Sequence, residues 1–189
     1  MQYTQTITLK DGRACTLRNA TAQDAQAALA VFKRTHEQTD FLLSLPEEIH
    51  YTATEQAQFL SEKTDSEDEI ELLAEIDGEV VALGGLEKIH NRIKTRHRVD
   101  FGVSVLQEYC GLGIGRALLE ACIACARKAG YEQMELDVVA DNTVALALYR
   151  SRGFTEFGRN PRAFKSPRSG WQELVMMRLE LNKEKTDEL

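Results

Sequence analysis

The sequence predicts one α/β (α+β) domain, and three observations carry the prediction. Two Asp-Gly pairs, Asp11-Gly12 and Asp77-Gly78, each separate short β-prone runs, a hairpin signal. Val99, Phe101, Val103 and Val105 alternate with Arg98, Asp100, Gly102 and Ser104, the period of a strand with two unlike faces. Directly after that strand, Ile114, Leu118, Cys122, Cys125 and Ala129 recur at helical spacing up to a Gly130 stop signal. With 189 residues, 43% of them hydrophobic, the chain has enough apolar surface for one sizeable core.

From the N-terminus, Thr6 to Leu9 and Cys15 to Arg18 read as a hairpin around Asp11-Gly12. Thr21 and Asp24 then cap a helix carrying Ala28, Leu29, Phe32 and His36, with His36 read as helix surface rather than metal ligand. Phe41 to Pro46 breaks this helical region, and Thr54 to Lys63 forms a second helix with Ala57 and Leu60 inward. Strands follow at Ile70 to Ile76 and Val80 to Leu86. The first belongs to an acidic stretch, Asp65 to Glu79, whose acids alternate with Ile70, Leu72, Ala74 and Ile76 and are read mostly as a strand's outer face. Phe154 to Arg159 and Glu173 to Leu181 read as closing strands, joined by a polar, proline-containing loop. No repeat, linker or second domain is evident: one domain spans 1-182, followed by a short charged tail, 183-189.

The chemistry concentrates between Val103 and Phe154. Gly111, Gly113 and Gly115 leave little side-chain bulk where a strand passes into a helix, so amide N–H groups can close on an anion. Arg116 and Glu120 lie one turn apart on the helix's polar side. A Walker loop needs a Gly-Lys-Ser/Thr ending, whereas this turn ends Gly115-Arg116-Ala117. A dinucleotide fingerprint needs G-x-G-x-x-G close behind the strand; here the glycines run G-x-G-x-G after Leu106 to Cys110, and Asp137, near the required distance, falls mid-strand.

Cys110-x-x-Gly113-x-Gly115 resembles the Q/R-x-x-G-x-G/A pyrophosphate loop of the GNAT N-acetyltransferase superfamily. Asn142-x-x-Ala145-x-x-Leu148-Tyr149-x-x-x-Gly153-Phe154 resembles its following block. The likeness extends from Ile7 to Leu181 and is specific between Asp100 and Phe154. It implies a three-layer domain, a mixed, mostly antiparallel twisted sheet of about six to seven strands flanked by helices. It also implies acetyl-coenzyme A as cosubstrate, with no metal. One departure stands out: Cys110 occupies the position of the usual Gln or Arg, which weakens a pyrophosphate contact without removing a loop that works through its backbone.

Carried over residue by residue, the resemblance assigns Val103, Ser104 and Val105 to backbone pairing with pantetheine. Cys110, Gly111, Leu112, Gly113, Ile114, Gly115 and Arg116 fall to the pyrophosphate, Asn142 to the pantetheine arm, and Tyr149 to protonation of the departing thiolate. Asn142 also suits a helix N-cap, as Asp141 does, and that role is compatible with the first. Tyr149 can equally pack with Val144 and Leu148. Attack on a thioester needs a neutral amine, and the candidate bases are Asp100, near the family's strand glutamate, and His97, whose ordinary pKa suits proton uptake near neutrality. Against both stands a solvated strand end between Arg96 and Arg98. A non-catalytic acyl-coenzyme A sensor or assembly protein is the alternative, and it has no use for a proton donor.

The remaining features narrow the setting. A formal charge of -7 argues against general nucleic-acid binding, and the basic run His90 to Arg98 reads as a solvated loop. Cys122 and Cys125 lack the second pair a zinc site needs and read as core residues. Cys110, before a helix N-terminus, is expected to have a lowered thiol pKa. With no membrane-length apolar run or leader evident, a cytoplasmic location is expected. Thr186 to Leu189 faintly resemble an ER-retention signal but lack its lysine. The acceptor is a small-molecule or peptide amine, with neither nucleic acid nor membrane as partner, and a homodimer is implied by resemblance alone. The family resemblance implies that Phe41 to Tyr51 and Asn160 to Trp171 wall the acceptor pocket, where the acids of Asp65 to Glu79, bordering its mouth, would favour cationic amines; Trp171 is either pocket wall or strand-end packing.

Overall fold

A computed structural model describes residues 1–181, so the resemblance at Thr186 to Leu189 and the tail 183-189 lie outside the described residues. The elements run β1 (Thr4–Thr8), β2 (Ala14–Asn19), α1 (Ala25–Gln38), α2 (Ala53–Asp65), β3 (Ile70–Ile76), β4 (Glu79–Lys88), β5 (Arg98–Val105), α3 (Ile114–Lys128), β6 (Gln133–Val139), α4 (Thr143–Ser151), β7 (Thr155–Ser166) and β8 (Gly170–Glu180). All eight strands join one sheet in the order β1-β2-β3-β4-β5-β6-β8-β7, one more than the upper expectation of seven. Every neighbouring pair is antiparallel except β5 with β6.

Local chemistry explains most boundaries. Asp77 and Gly78 both have positive φ, 52° and 83°, as a tight hairpin turn with the twist of its strands requires. Asp24 accepts hydrogen bonds from both the amide and the hydroxyl of Thr21, a closed cap leading into α1. At α2, Thr52 accepts from the Glu55 amide while Glu55 accepts from the Thr52 amide. The closing strands are longer than expected, because 160–171 is a hairpin end rather than a loop. Phe164 pairs with Gln172, Lys165 with Trp171 and Ser166 with Gly170. An irregularity between Asn160 and Phe164 absorbs Pro161, which only an edge strand tolerates.

Helices cover both faces of the central strands. Helix α3 packs on β3, β4 and β5, with Leu118 against Gly84, while α1 and α2 pack on each other and on β4 and β3 respectively. Leu72, Leu73, Ala74, Val81 and Ala82 are all fully buried, successive residues included, as in a strand covered on both sides. The acids of β3 therefore do not form an outer face: Glu71 and Glu75 are only half-exposed, and Glu75 bridges to Arg18 at 2.9 Å. His36 is likewise buried rather than on the surface, its Nδ1 at 2.6 Å from the Phe32 carbonyl oxygen and its ring against Phe32. Cys122 and Cys125 are buried in the core. No helix among the described residues is long and apolar enough to cross a membrane.

Candidate active site

The one parallel contact builds the first half of the site. Strands β5 and β6 pair only at Arg98/Gln133, Val99/Met134 and Asp100/Glu135. On its other side β5 stays registered with β4 as far as Val105. From Phe101 onward the two parallel strands therefore diverge, and Val103, Ser104 and Val105 line a wedge with an unpaired backbone edge.

At the open end of this wedge the chain turns through Gly111 (φ 80°) and Gly113 (φ 103°) into α3. Those φ values belong to glycine, since a Cβ in this region meets the neighbouring carbonyl. Among the described residues, no amide from Gly111 to Arg116 has a backbone acceptor; the first that does is Ala117, donating to Gly113 at 3.1 Å. Leading amides of a helix are orphaned by geometry, and here the glycine turn extends the orphaned set beyond the first helical turn. A Cβ on Gly111 or Gly113 would meet nothing within 4 Å, and one on Gly115 only Val105 at 3.8 Å. Internal packing therefore does not demand small residues here, which leaves room in front of the amides as their use. Lys10 ties the loop to the β1–β2 turn by donating to the Leu112 carbonyl at 3.2 Å.

Two expectations for this loop change. The thiol of Cys110 is raised, not lowered, by burial and then by Glu108; it faces the carbonyl oxygens of Leu106 (3.6 Å) and Val105 (3.8 Å), and α3 begins four residues later. Glu120 pairs with Arg152 at 2.8 Å instead of Arg116, which leaves Arg116 exposed beside the amide cradle.

Tyr149 and Asn142 approach from α4. Asn142 is the N-cap, its Oδ1 accepting from the Ala145 amide at 3.2 Å, so its side-chain NH2 faces away from that bond. Tyr149 is buried, edge-on to Phe101 at 6.3 Å and tilted against Phe154 at 5.8 Å. Burial, then the charge of Asp100, pushes its phenol up to about 12, so it stays protonated at physiological pH. A buried phenol that stays protonated can both pack and donate a hydrogen bond.

On the other side of the β5–β6 junction lies a cleft of about 530 Å³, bordered by Glu87, Lys88, Arg98, Asp100, Glu135 and Asp137, with Phe157 and Met176 as apolar walls. Asp100 forms the last β5–β6 pair and stands where the wedge opens. Although Asp100 is exposed at the rim of the cleft, partial desolvation of its carboxyl, then Asp137, Glu87 and Glu135, raises it to about 7. Glu135 is held by Arg98 through two bonds of 2.6 Å, and burial followed by Glu135 raises Asp137. His97 does not border this cleft; it precedes β5, and its carbonyl accepts from the amides of Glu132 and Gln133. Sequence reading found Asp100 but missed Glu87 and the place of Asp137 in this cleft, whose only signal is register: Glu87, Asp100 and Glu135 stand opposite one another on three strands.

The two segments expected to wall an acceptor pocket are joined by Asp40. Ser166 and Ser169 donate to its carboxylate at 2.8 and 2.6 Å, and Gln172 donates to its carbonyl at 2.9 Å. This fastens the chain leading into 41–51 to the β7–β8 hairpin. Trp171 is half-exposed, with Arg162 and Lys165 over its ring, so it is not a strand-end core residue.

Residues 33–154 match the model of the Acetyltransferase (GNAT) family. The chain belongs to that family. Among curated GNAT proteins and other relatives, an N-alpha-acetyltransferase of Sulfurisphaera tokodaii is 29% identical over 78% of this chain and 84% of its own length. The ribosomal protein bS18 alanine N-acetyltransferase of Escherichia coli K12 is 45% identical over a shorter stretch, 30% of this chain and 38% of that protein. A GNAT acetyltransferase from Streptococcus pneumoniae superposes with a TM-score of 0.84 at 26% identity, covering 88% of this chain and 99% of the other. A Salmonella typhimurium relative solved with its cofactor acetyl-CoA has a TM-score of 0.81 over 92% of this chain and 98% of its own; at 22% identity it supports the fold alone. This GNAT protein is an acyltransferase of the N-acetyltransferase class.

Proposed function

We propose that the protein transfers an acetyl group from acetyl-coenzyme A to a primary amine by direct attack in a ternary complex. The observation that supports this reading best is the run of unpaired amides from Gly111 to Arg116 at the mouth of the β5–β6 wedge. Such amides hold a diphosphate without any side chain, which is why Cys110 is tolerable at the family's Gln or Arg position. Val103 to Val105 would hold the pantetheine arm by backbone pairing, and the Asn142 amide would reach it from α4. When bound, the cosubstrate supplies an activated thioester carbonyl, and the β5 amides are preorganised donors for charge developing on its oxygen.

The side chains divide the proton work. Asp100, held near 7, is matched to accepting a proton from an ammonium group close to neutral pH, which frees the amine lone pair. Tyr149, protonated throughout, is matched to the sulfur side. Complete transfer from a phenol near 12 to an ordinary thiolate is uphill by about 3 to 4 pK units. Tyr149 therefore acts chiefly as a hydrogen-bond donor as negative charge grows on sulfur. His97 has no part in this scheme. A protein that only bound the cofactor would gain nothing from Asp100 and Tyr149 on either side of the wedge.

Thermal unfolding with acetyl-coenzyme A, beside NAD and ATP, tests the cofactor. At about a hundred times the dissociation constant a ligand stabilises by about 2.7 kcal/mol. For a chain of this size that corresponds to roughly 5 to 10 °C. A shift with acetyl-coenzyme A alone, followed by thiol release with an amine panel, supports the reading; equal shifts with NAD or ATP overturn it.

A further inference from the structure

One acid beside the cleft has no role in the scheme above. Glu71 of β3 stands opposite Gly85 of β4, which stands opposite Gly102 of β5. A Cβ at Gly85 would lie 2.2 Å from Glu71 Oε2, so the carboxylate rests on the glycine's bare backbone. Gly102 is exposed, and nothing lies within 4 Å of where its Cβ would be. The two glycines thus leave no side chain between the Glu71 carboxylate and β5, one row from the residues that border the cleft. The neighbouring row on the same face is Glu87, Asp100 and Glu135.

Glu71 is partly exposed, and its carboxylate has no hydrogen-bond or ion-pair partner among the described residues. The nearest cation, Lys63 of α2, is buried and committed to Glu69 at 3.1 Å and the Leu86 carbonyl at 3.4 Å. The cleft's own cations are also paired, Arg98 with Glu135 and Lys88 with Asp68 at 2.9 Å. Glu71, Glu87, Asp100 and Asp137 are therefore left without a bound cation. Desolvation, opposed by Lys63 and reinforced by Glu87, holds the Glu71 carboxyl near 7, and a ligand cation would relieve that desolvation.

We propose that Glu71 is a subsite for a second positive charge on the acceptor, so that the preferred substrate is an aliphatic diamine or polyamine rather than a monoamine. This rests on the reading of the cleft as the acceptor site. Two strand spacings separate β3 from β5, about 10 Å. Because the Glu71 carboxylate lies over Gly85 of β4, it stands about one strand spacing from β5, within reach of the far ammonium of a short alkyl diamine whose other nitrogen is at Asp100.

The test compares 1,4-diaminobutane with n-butylamine as acceptors, using the full chain, acetyl-coenzyme A, and the Glu71→Gln and Gly85→Ala variants. Wild type is expected to favour the diamine in kcat/KM by about tenfold or more, about 1.4 kcal/mol. Glu71→Gln should collapse that ratio through KM, with kcat for the diamine within about twofold; Gly85→Ala, which displaces the carboxylate without removing it, should do the same. No diamine preference in an enzyme that acetylates butylamine overturns the subsite and leaves the proposed function intact. Equal loss of kcat on both amines overturns it too, assigning Glu71 to chemistry or folding. Should no amine turn over, the diamine's thermal stabilisation of the coenzyme A complex decides: loss in Glu71→Gln supports the subsite, and no stabilisation of wild type overturns it.

Discussion

The proposed cofactor half and the proposed acceptor half of this site meet at Asp100 but are built in opposite ways. Around the glycine loop, recognition is a property of backbone: amides freed by a helix start and by two positive-φ glycines, and a strand edge freed by divergence. In the proposed acceptor cleft, recognition would be a property of side chains from β4, β5 and β6, where partial desolvation and neighbouring acids shift the acidity of Asp100. A backbone site tolerates substitution wherever dihedrals are kept, which is the proposed reason that Cys110 is acceptable there. A side-chain site depends on which carboxylates are left without cations.

Replacing Tyr149 by Phe tests the junction of the two halves and carries the largest expected effect. Turnover should fall by about 10²- to 10⁴-fold while acetyl-coenzyme A affinity stays nearly unchanged, measured by steady-state kinetics and calorimetry. Unaltered turnover would reduce Tyr149 to a packing residue against Phe101.

Asp100→Asn should lower kcat/KM by about 10- to 100-fold and abolish a pH limb near 7. In wild type the base works only when ionised, so the rate should fall as pH drops below about 7. Stability runs the other way. A carboxyl whose folded pKa is raised makes the unfolded state ionise first, so its penalty grows from about pH 4 to 7 and is complete above. Asp100→Asn should therefore raise Tm at pH 8 and change it little at pH 4.5. A limb near 7 surviving in the variant would move the base elsewhere, with His97 the first residue to examine.

Gly113→Ala probes the backbone half alone. Forcing an L residue to φ 103° costs about 1 to 2 kcal/mol, and relaxation would turn the leading amides, so acetyl-coenzyme A should bind about tenfold more weakly with kcat at saturation little changed. The smallest effect belongs to Cys110→Ser, expected within about twofold in turnover and affinity. A loss of rate at constant affinity would mean the thiol takes part in chemistry.

Much of the fold was legible because it is written locally. The Asp-Gly hairpins, the Thr21–Asp24 cap, the α3 apolar stripe and the glycine turn each lie within a few residues of one another. The misreadings share one cause. His36 looked polar and was placed on the surface, yet the Phe32 carbonyl and ring satisfy it inside. The β3 acids looked like an outer face, yet Leu73 between them is buried because α1 and α2 cover that side. Pro161 argued for a loop, yet the edge position of β7 lets the hairpin continue past it.

By itself the sequence determined the strand, glycine turn and helix that form the amide cradle, and with them the family resemblance, because backbone geometry follows from adjacent residues. Only the tertiary structure decided that β5 leaves β6 after Asp100, that Glu71 rests on Gly85, that Glu87 and Asp137 share a cleft with Asp100, and that Asp40 fastens the chain before 41–51 to the β7–β8 hairpin. Those facts depend on strand register and on cations already engaged elsewhere. Electrostatic enclosure is a sum over neighbours in space, and no local spacing along the chain encodes it.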